Sequence, residues 1–147
     1  MTMLTKAIEI AATALANLQD EKGFPYIDHA TRVMDKMDTE EEKIVAVLHD
    51  VLEDTEMSIQ DLCEYGFSRE VLEAVGILTK RSDMTYFDYI DDIHCGELAS
   101  KVKIAEIEDN KDVRRVKKMS FQTYTLDYRA KKALAILRGE DTSNDYK

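Results

Sequence analysis

The stretch "AVLHDVLEDTE", residues 46–56, decides how this chain is read, because it sets His49, Asp50, Glu53 and Asp54 into four of six consecutive positions. Successive residues of a helix turn by about 100°, so Ile44, Val45, Val47, Leu48, Val51 and Leu52 share one arc and the four ionisable residues share the other. An ordinary amphipathic helix with a solvated outer face has this pattern. Two features point instead to chemistry. Ala46, a small residue, lies within the polar arc, where a helix or ligand could approach closely. No lysine or arginine stands at i+3 or i+4 to balance the acids, as surface helices usually arrange.

Working outward, 147 residues with 44% hydrophobic side chains suffice for one domain with one core. The expected division is a helical bundle over 1–138 and a polar tail, "EDTSNDYK", within 139–147. Lys plus Arg number 20 against 30 Asp plus Glu, a net charge of −10. That balance argues against a nucleic-acid polymer as partner, since such binding neutralises many phosphates. A small phosphate ester remains open if a metal ion or a local group of cations offsets the field. Seven of the twenty cations fall between Lys101 and Lys118, although a solvated helix face accounts for most of them equally well. Cys63 and Cys95 match no C-x-x-C spacing and make no disulfide framework, which fits a reducing cytoplasm. No apolar run is long enough for a membrane span, and the first twenty residues lack the basic start and small-residue cleavage site of a signal peptide. Homo-oligomer formation is left open.

One proline and five glycines leave few interruptions, and apolar residues recur at helical spacing, so the fold class expected is all-α. Helices are expected at about 2–19, 26–37 and 40–54, then two opened by Ser58 and Ser68, then at about 84–94, 97–109 and 121–138. Thr39 with Glu42 has the spacing of a capping box. Gly66 and Gly139 are placed as left-handed stops.

A metal site built on residues 49–54 needs further ligands. His29 borders the apolar stripe of the second helix, where a core-edge histidine would look the same. Glu106, in "VKIAEIEDN", projects beside Ala99 and Val102, with Asn110 one turn on. A carboxylate pressed against an apolar face requires a cationic partner. A metal ion or a lysine would serve, and spacing does not separate them. Lys80 and Arg81, followed by Tyr86 and Tyr89, could line a phosphate or base pocket; Arg114 could reach a phosphate. Capping, packing and solvation explain these equally.

Taken together and in order, "YIDH" (26–29), "LHDVLEDT" (48–55), "LTKR" (78–81), "TYFDYI" (85–90) and "KIAEIEDN" (103–110) resemble the HD-domain phosphohydrolases, within them the RelA/SpoT-type hydrolase domain and its small stand-alone relatives. The resemblance implies a single HD-domain bundle and removal of the 3′-pyrophosphate from guanosine alarmones. It implies that His29, His49 and Asp50 bind a divalent metal, commonly manganese. It assigns Glu53 and Asp54 to the attacking water and Asn110 to the substrate. Where the family has a fourth ligand, the aspartate of K-L-A-D, this chain has Glu106. Where relatives often carry a histidine and basic residues before Gly23, it has "LANLQDEKG".

Hard oxygen ligands mixed with imidazole suit manganese, iron, zinc or magnesium, and such an ion makes in-line attack on a phosphoryl group feasible near neutral pH. The function expected is metal-dependent hydrolysis of a nucleotide or related small phosphate ester. The rival is a catalytically weak HD fold acting as a metal or nucleotide sensor, or as an interaction module.

Overall fold

The computed structural model describes residues 2–19, 23–114 and 121–140; of positions 111–114, 121–125 and 127 only the backbone is described. The described residues form helices α1 (Met3–Ala14), α2 (Tyr26–Asp35), α3 (Glu40–Leu48), α4 (Val51–Asp54), α5 (Ile59–Glu64), α6 (Arg69–Leu78), α7 (Tyr86–His94), α8 (Glu97–Arg114) and α9 (Phe121–Leu137). Among them no strand occurs; a lone antiparallel bridge joins Gln19 to Pro25. The fold is all-α, as the periodicity predicts. None of these helices is long and apolar enough to cross a membrane.

The helix starts follow local chemistry. Thr39 accepts from the Glu42 N–H while the Glu42 carboxylate accepts from the Asp38 and Thr39 N–H groups, at 2.9 and 3.0 Å. These contacts satisfy backbone donors that a helix N-terminus leaves unpaired. Lys101 of α8 then reaches both Glu42 oxygens and Asp38, tying the start of α3 to α8. Ser58 caps α5 with a like box through Asp61, while Ser68 and Thr85 cap α6 and α7 by the hydroxyl alone. Gly139, at φ +73°, ends α9: its N–H bonds the Ile136 carbonyl and the Glu140 N–H the Ala135 carbonyl. Only a residue comfortable in left-handed backbone allows that pair of bonds. Positions 141–147, where the polar tail is expected, lie outside the described residues.

Three expected helices are altered: α8 continues to Arg114 rather than ending near residue 109, and two others are shortened or broken. The first helix ends at Ala14 rather than near residue 19, because the chain turns at Leu15–Leu18 and the Leu18 carbonyl accepts from the Tyr26 N–H. The expected helix over 40–54 is broken in two at His49 and Asp50. In an unbroken helix the Ala46 carbonyl would receive the Asp50 N–H; here His49 Nδ1 bonds that carbonyl, and local side-chain competition of this kind interrupts helices.

α3 is the centre of the molecule, packed by α1, α2, α6 and α8. Ile44, Val45, Ala46, Val47 and Leu48 are all buried, so the second half of this helix is apolar on every side rather than amphipathic. Each large apolar side chain so enclosed contributes about 1.5–3 kcal/mol. The core helix therefore carries His49 and Asp50, immediately after it, into the interior: both are buried. The solvated-face account of these two residues is overturned. Their polar neighbours Glu53 and Asp54 keep an exposed edge.

Candidate metal centre

α2 brings His29, the break between α3 and α4 brings His49 and Asp50, and α8 brings Glu106. One nitrogen or carboxylate oxygen from each of the four lies within 4.8 Å of all the others. His29 and Glu106 are 77 positions apart, yet α2 and α8 pack directly on one another and on α3.

The hydrogen bonds around the cluster fix which atoms face it. A backbone carbonyl only accepts, so His49 Nδ1 carries its hydrogen toward Ala46 and Nε2 is turned inward. Asp109 Oδ2 accepts from His29 Nδ1 at 2.7 Å, which turns His29 Nε2 inward as well. There His29 Nε2 is 3.7 Å and His49 Nε2 2.9 Å from Asp50 Oδ2, and His49 Nε2 is 3.9 Å from Glu106 Oε1. The His49 Nε2 and Asp50 Oδ2 atoms, although close, are not aligned as a hydrogen bond, and neither has a hydrogen-bond partner among the described residues. Two buried atoms so arranged are costly unless a cation lies between them. Two imidazole nitrogens and two carboxylates are the donor set that divalent transition ions accept, so the residues fit such an ion.

The electrostatics agree. Burial pushes the His49 imidazole down, but the Asp50 carboxylate, aided by Glu106, outweighs it and holds the ring up at about 9. Burial pushes Asp50 up; His49, His29 and Lys103 together hold it below the usual carboxylate range. Glu53 and Asp54 are crowded by protein on one side despite their open edge. Desolvation raises both, and the Asp50 charge adds to it. Glu53 Oε1 accepts from the Lys80 N–H at 2.6 Å, anchoring it to the end of α6. Tyr26, edge-on to His29 at 5.8 Å, has its phenol raised by burial and then by the Asp50, Asp54 and Glu106 carboxylates.

The partner of Glu106 proves to be Lys103, three residues earlier: Nζ lies 2.8 Å from Oε2, leaving Oε1 toward the histidines. Lys103 is itself buried and sits 5.1 Å over the Tyr89 ring. It belongs to the site, not to a solvated helix face. Beside Glu106 opens a cavity of about 120 Å³ lined by Tyr86, Lys103, Asn110, Leu126 and Arg129. The Arg129 guanidinium lies 4.2 Å over the Tyr86 ring.

Asn110 thus stands at the cavity next to the cluster. Lys80 meets the site through its backbone, while its ammonium donates to the Arg81 carbonyl. Tyr89 is buried and donates its hydroxyl to the Leu78 carbonyl. The side chain of Arg114 lies outside the described residues, as do those of Lys111, Arg115, Lys117 and Lys118. Sequence reasoning missed Asp109 and Arg32. Each stands three residues after a predicted ligand, Glu106 and His29, and so on the same helix face; that spacing was the available signal.

The fold and the cluster together define an all-α protein with a buried His/Asp/Glu group able to take a divalent metal. Among solved structures the chain is similar to a metazoan ortholog of SpoT that hydrolyzes ppGpp and plays a role in starvation responses. The two share 22% sequence identity with a TM-score of 0.77, over 96% of this chain and 88% of that one. No family model and no curated protein sequence matches. The likeness bears on the fold alone: this chain adopts the helical fold of that structure.

Proposed function

We propose that this chain is a metal-dependent phosphohydrolase of a nucleotide or related small phosphate ester, with guanosine 3′-pyrophosphates the first substrates to test. The observation that carries the reading is the inward pair His49 Nε2 and Asp50 Oδ2, buried without a hydrogen bond among the described residues and faced by His29 and Glu106. These four residues would hold the ion, manganese being the first choice. A divalent ion in such a set supplies positive charge to phosphoryl oxygens and lowers the pKa of water.

The chain's own groups do the rest. Glu53 and Asp54 stand beside the cluster with raised pKa values and an open edge, which suits orienting water and accepting its proton near neutral pH. The Asp50 charge raises both, so the base is assigned to the pair. Asn110 and the cationic cavity wall of Lys103 and Arg129 would bind the substrate's anionic part. Arg114 is proposed as a further phosphate contact, and Lys80 as the backbone anchor of Glu53. A cytoplasmic setting is proposed from the two unpaired, exposed cysteines.

Purified chain with manganese should release pyrophosphate or phosphate from a guanosine 3′-pyrophosphate or a member of a nucleotide panel. Complete inertness across the panel, with metal bound, would favour the second reading, a metal or nucleotide sensor. One observation favours that alternative: Lys103 already neutralises one oxygen of Glu106, which stands where the family has aspartate.

A further inference from the structure

Asp109 is not one of the four grouped residues, yet it is buried and accepts three hydrogen bonds. Oδ1 takes Arg32 Nε at 2.9 Å; Oδ2 takes Arg32 Nη2 at 3.1 Å and His29 Nδ1 at 2.7 Å. We propose that Arg32 and Asp109 are a positioning pair for His29, locking its ring as the tautomer that offers Nε2 to the metal. This rests on the metal reading above and adds residues to it.

The reasoning is geometric. An imidazole on a helix can rotate about two bonds and exchange its hydrogen between two nitrogens. A carboxylate accepting at Nδ1 removes both freedoms. The rings of Tyr26 and His49, edge-on at 5.8 and 5.6 Å, enclose His29 without choosing a tautomer. Asp109 makes that choice, and Arg32 fixes Asp109. The guanidinium of Arg32 can only donate, so the Asp109 carboxylate it engages acts as the acceptor for His29 Nδ1. A guanidinium presents two parallel N–H donors to one carboxylate, a fork that lysine lacks. The Arg32 side chain is 42% exposed, so it can be altered with little disturbance of the core. With the pair gone, the tautomer bearing hydrogen on Nε2 would become accessible and aim a donor at the cluster.

Manganese affinity by titration calorimetry and the nitrogen-15 shifts of the His29 ring, at a pH where the ring is neutral, test this. The wild-type ring should show hydrogen on Nδ1 and a bare Nε2. Asp109→Ala should mix the tautomers and weaken manganese binding about 10–100-fold. Asp109→Asn, whose amide oxygen still accepts from His29, should recover part of that loss, and Arg32→Gln should show a smaller loss than Asp109→Ala. Glu42→Ala, remote from the ring, should lower the melting temperature without altering affinity. If Asp109→Ala does not fold, Arg32→Gln carries the test. Wild-type affinity in the folded variants, or hydrogen on Nε2 in the wild type, overturns the proposal. A wild-type chain that binds no divalent ion overturns the metal reading and the affinity effect together, and the ring shifts distinguish that case from failure of the positioning pair alone.

Discussion

Buried Lys103 and half-buried Glu106 form an ion pair in which Nζ engages Oε2 at 2.8 Å and leaves Oε1 turned toward His49. The lysine thus neutralises half of a carboxylate whose other half is available to a metal. Lys103→Met should cost the metal-free protein about 3 kcal/mol, the penalty of stranding a buried charge. Manganese should then raise the melting temperature more than in wild type, because the ion becomes the sole partner of Glu106. Equal manganese-induced shifts in the two proteins would show that Glu106 is not in contact with the ion.

His49→Ala removes an inward nitrogen and the group that interrupts the α3–α4 helix. A ligand at a hundred times its Kd stabilises a protein by about 2.7 kcal/mol, and this gain should be present in wild type and absent in the variant. Thermal melting with and without manganese, alongside metal analysis of protein purified without chelator, reads the difference. Metal content unchanged by the substitution would place the ion elsewhere.

Glu53→Gln and Asp54→Asn should each lower kcat about 10²–10⁴-fold, the range of a lost general base, while leaving metal content intact. For Glu53 the amide oxygen can still accept from the Lys80 N–H, so position is kept and only basicity lost. A fall in metal binding equal to the fall in rate would instead make these residues ligands.

His49 titrates at about 9 in the folded, metal-free chain, above its ordinary value near 6.5. Its folded pKa is raised, so the stability it contributes is complete below about pH 6.5 and is lost as pH rises through 9. A proton on His49 competes with a metal for the same nitrogen, so manganese affinity should rise over that window while metal-free stability falls. Denaturant melts of metal-free protein at pH 6.5 and 9, and manganese titrations at pH 6.5 and 8, give the two slopes; parallel slopes would contradict the shared nitrogen.

Glu42 caps α3 and also pairs with Lys101, whereas Thr39 only caps. Thr39→Ala should therefore cost about 1 kcal/mol and Glu42→Ala more, measured by urea unfolding. A smaller loss for Glu42→Ala would mean the Lys101 contact adds nothing.

What residue order alone determined was local. Helical periodicity, the Thr39–Glu42 box, the serine caps at 58 and 68 and the glycine stops at 66 and 139 rest on contacts between near neighbours, and all are present in the folded chain. The four residues drawn from separate motifs also converge. Tertiary packing decided the rest. Ile44, Val45, Val47 and Leu48 read as one face of an amphipathic helix until neighbours enclose Ala46 on the opposite arc as well; then His49 and Asp50 are buried and become a site. Asp109 and Arg32 stood unnoticed because the meaning of their charges depends on α2 meeting α8. Periodicity reports which face of a helix a residue occupies; only the packing of other helices determines whether that face meets water, a lysine or an inward-turned imidazole.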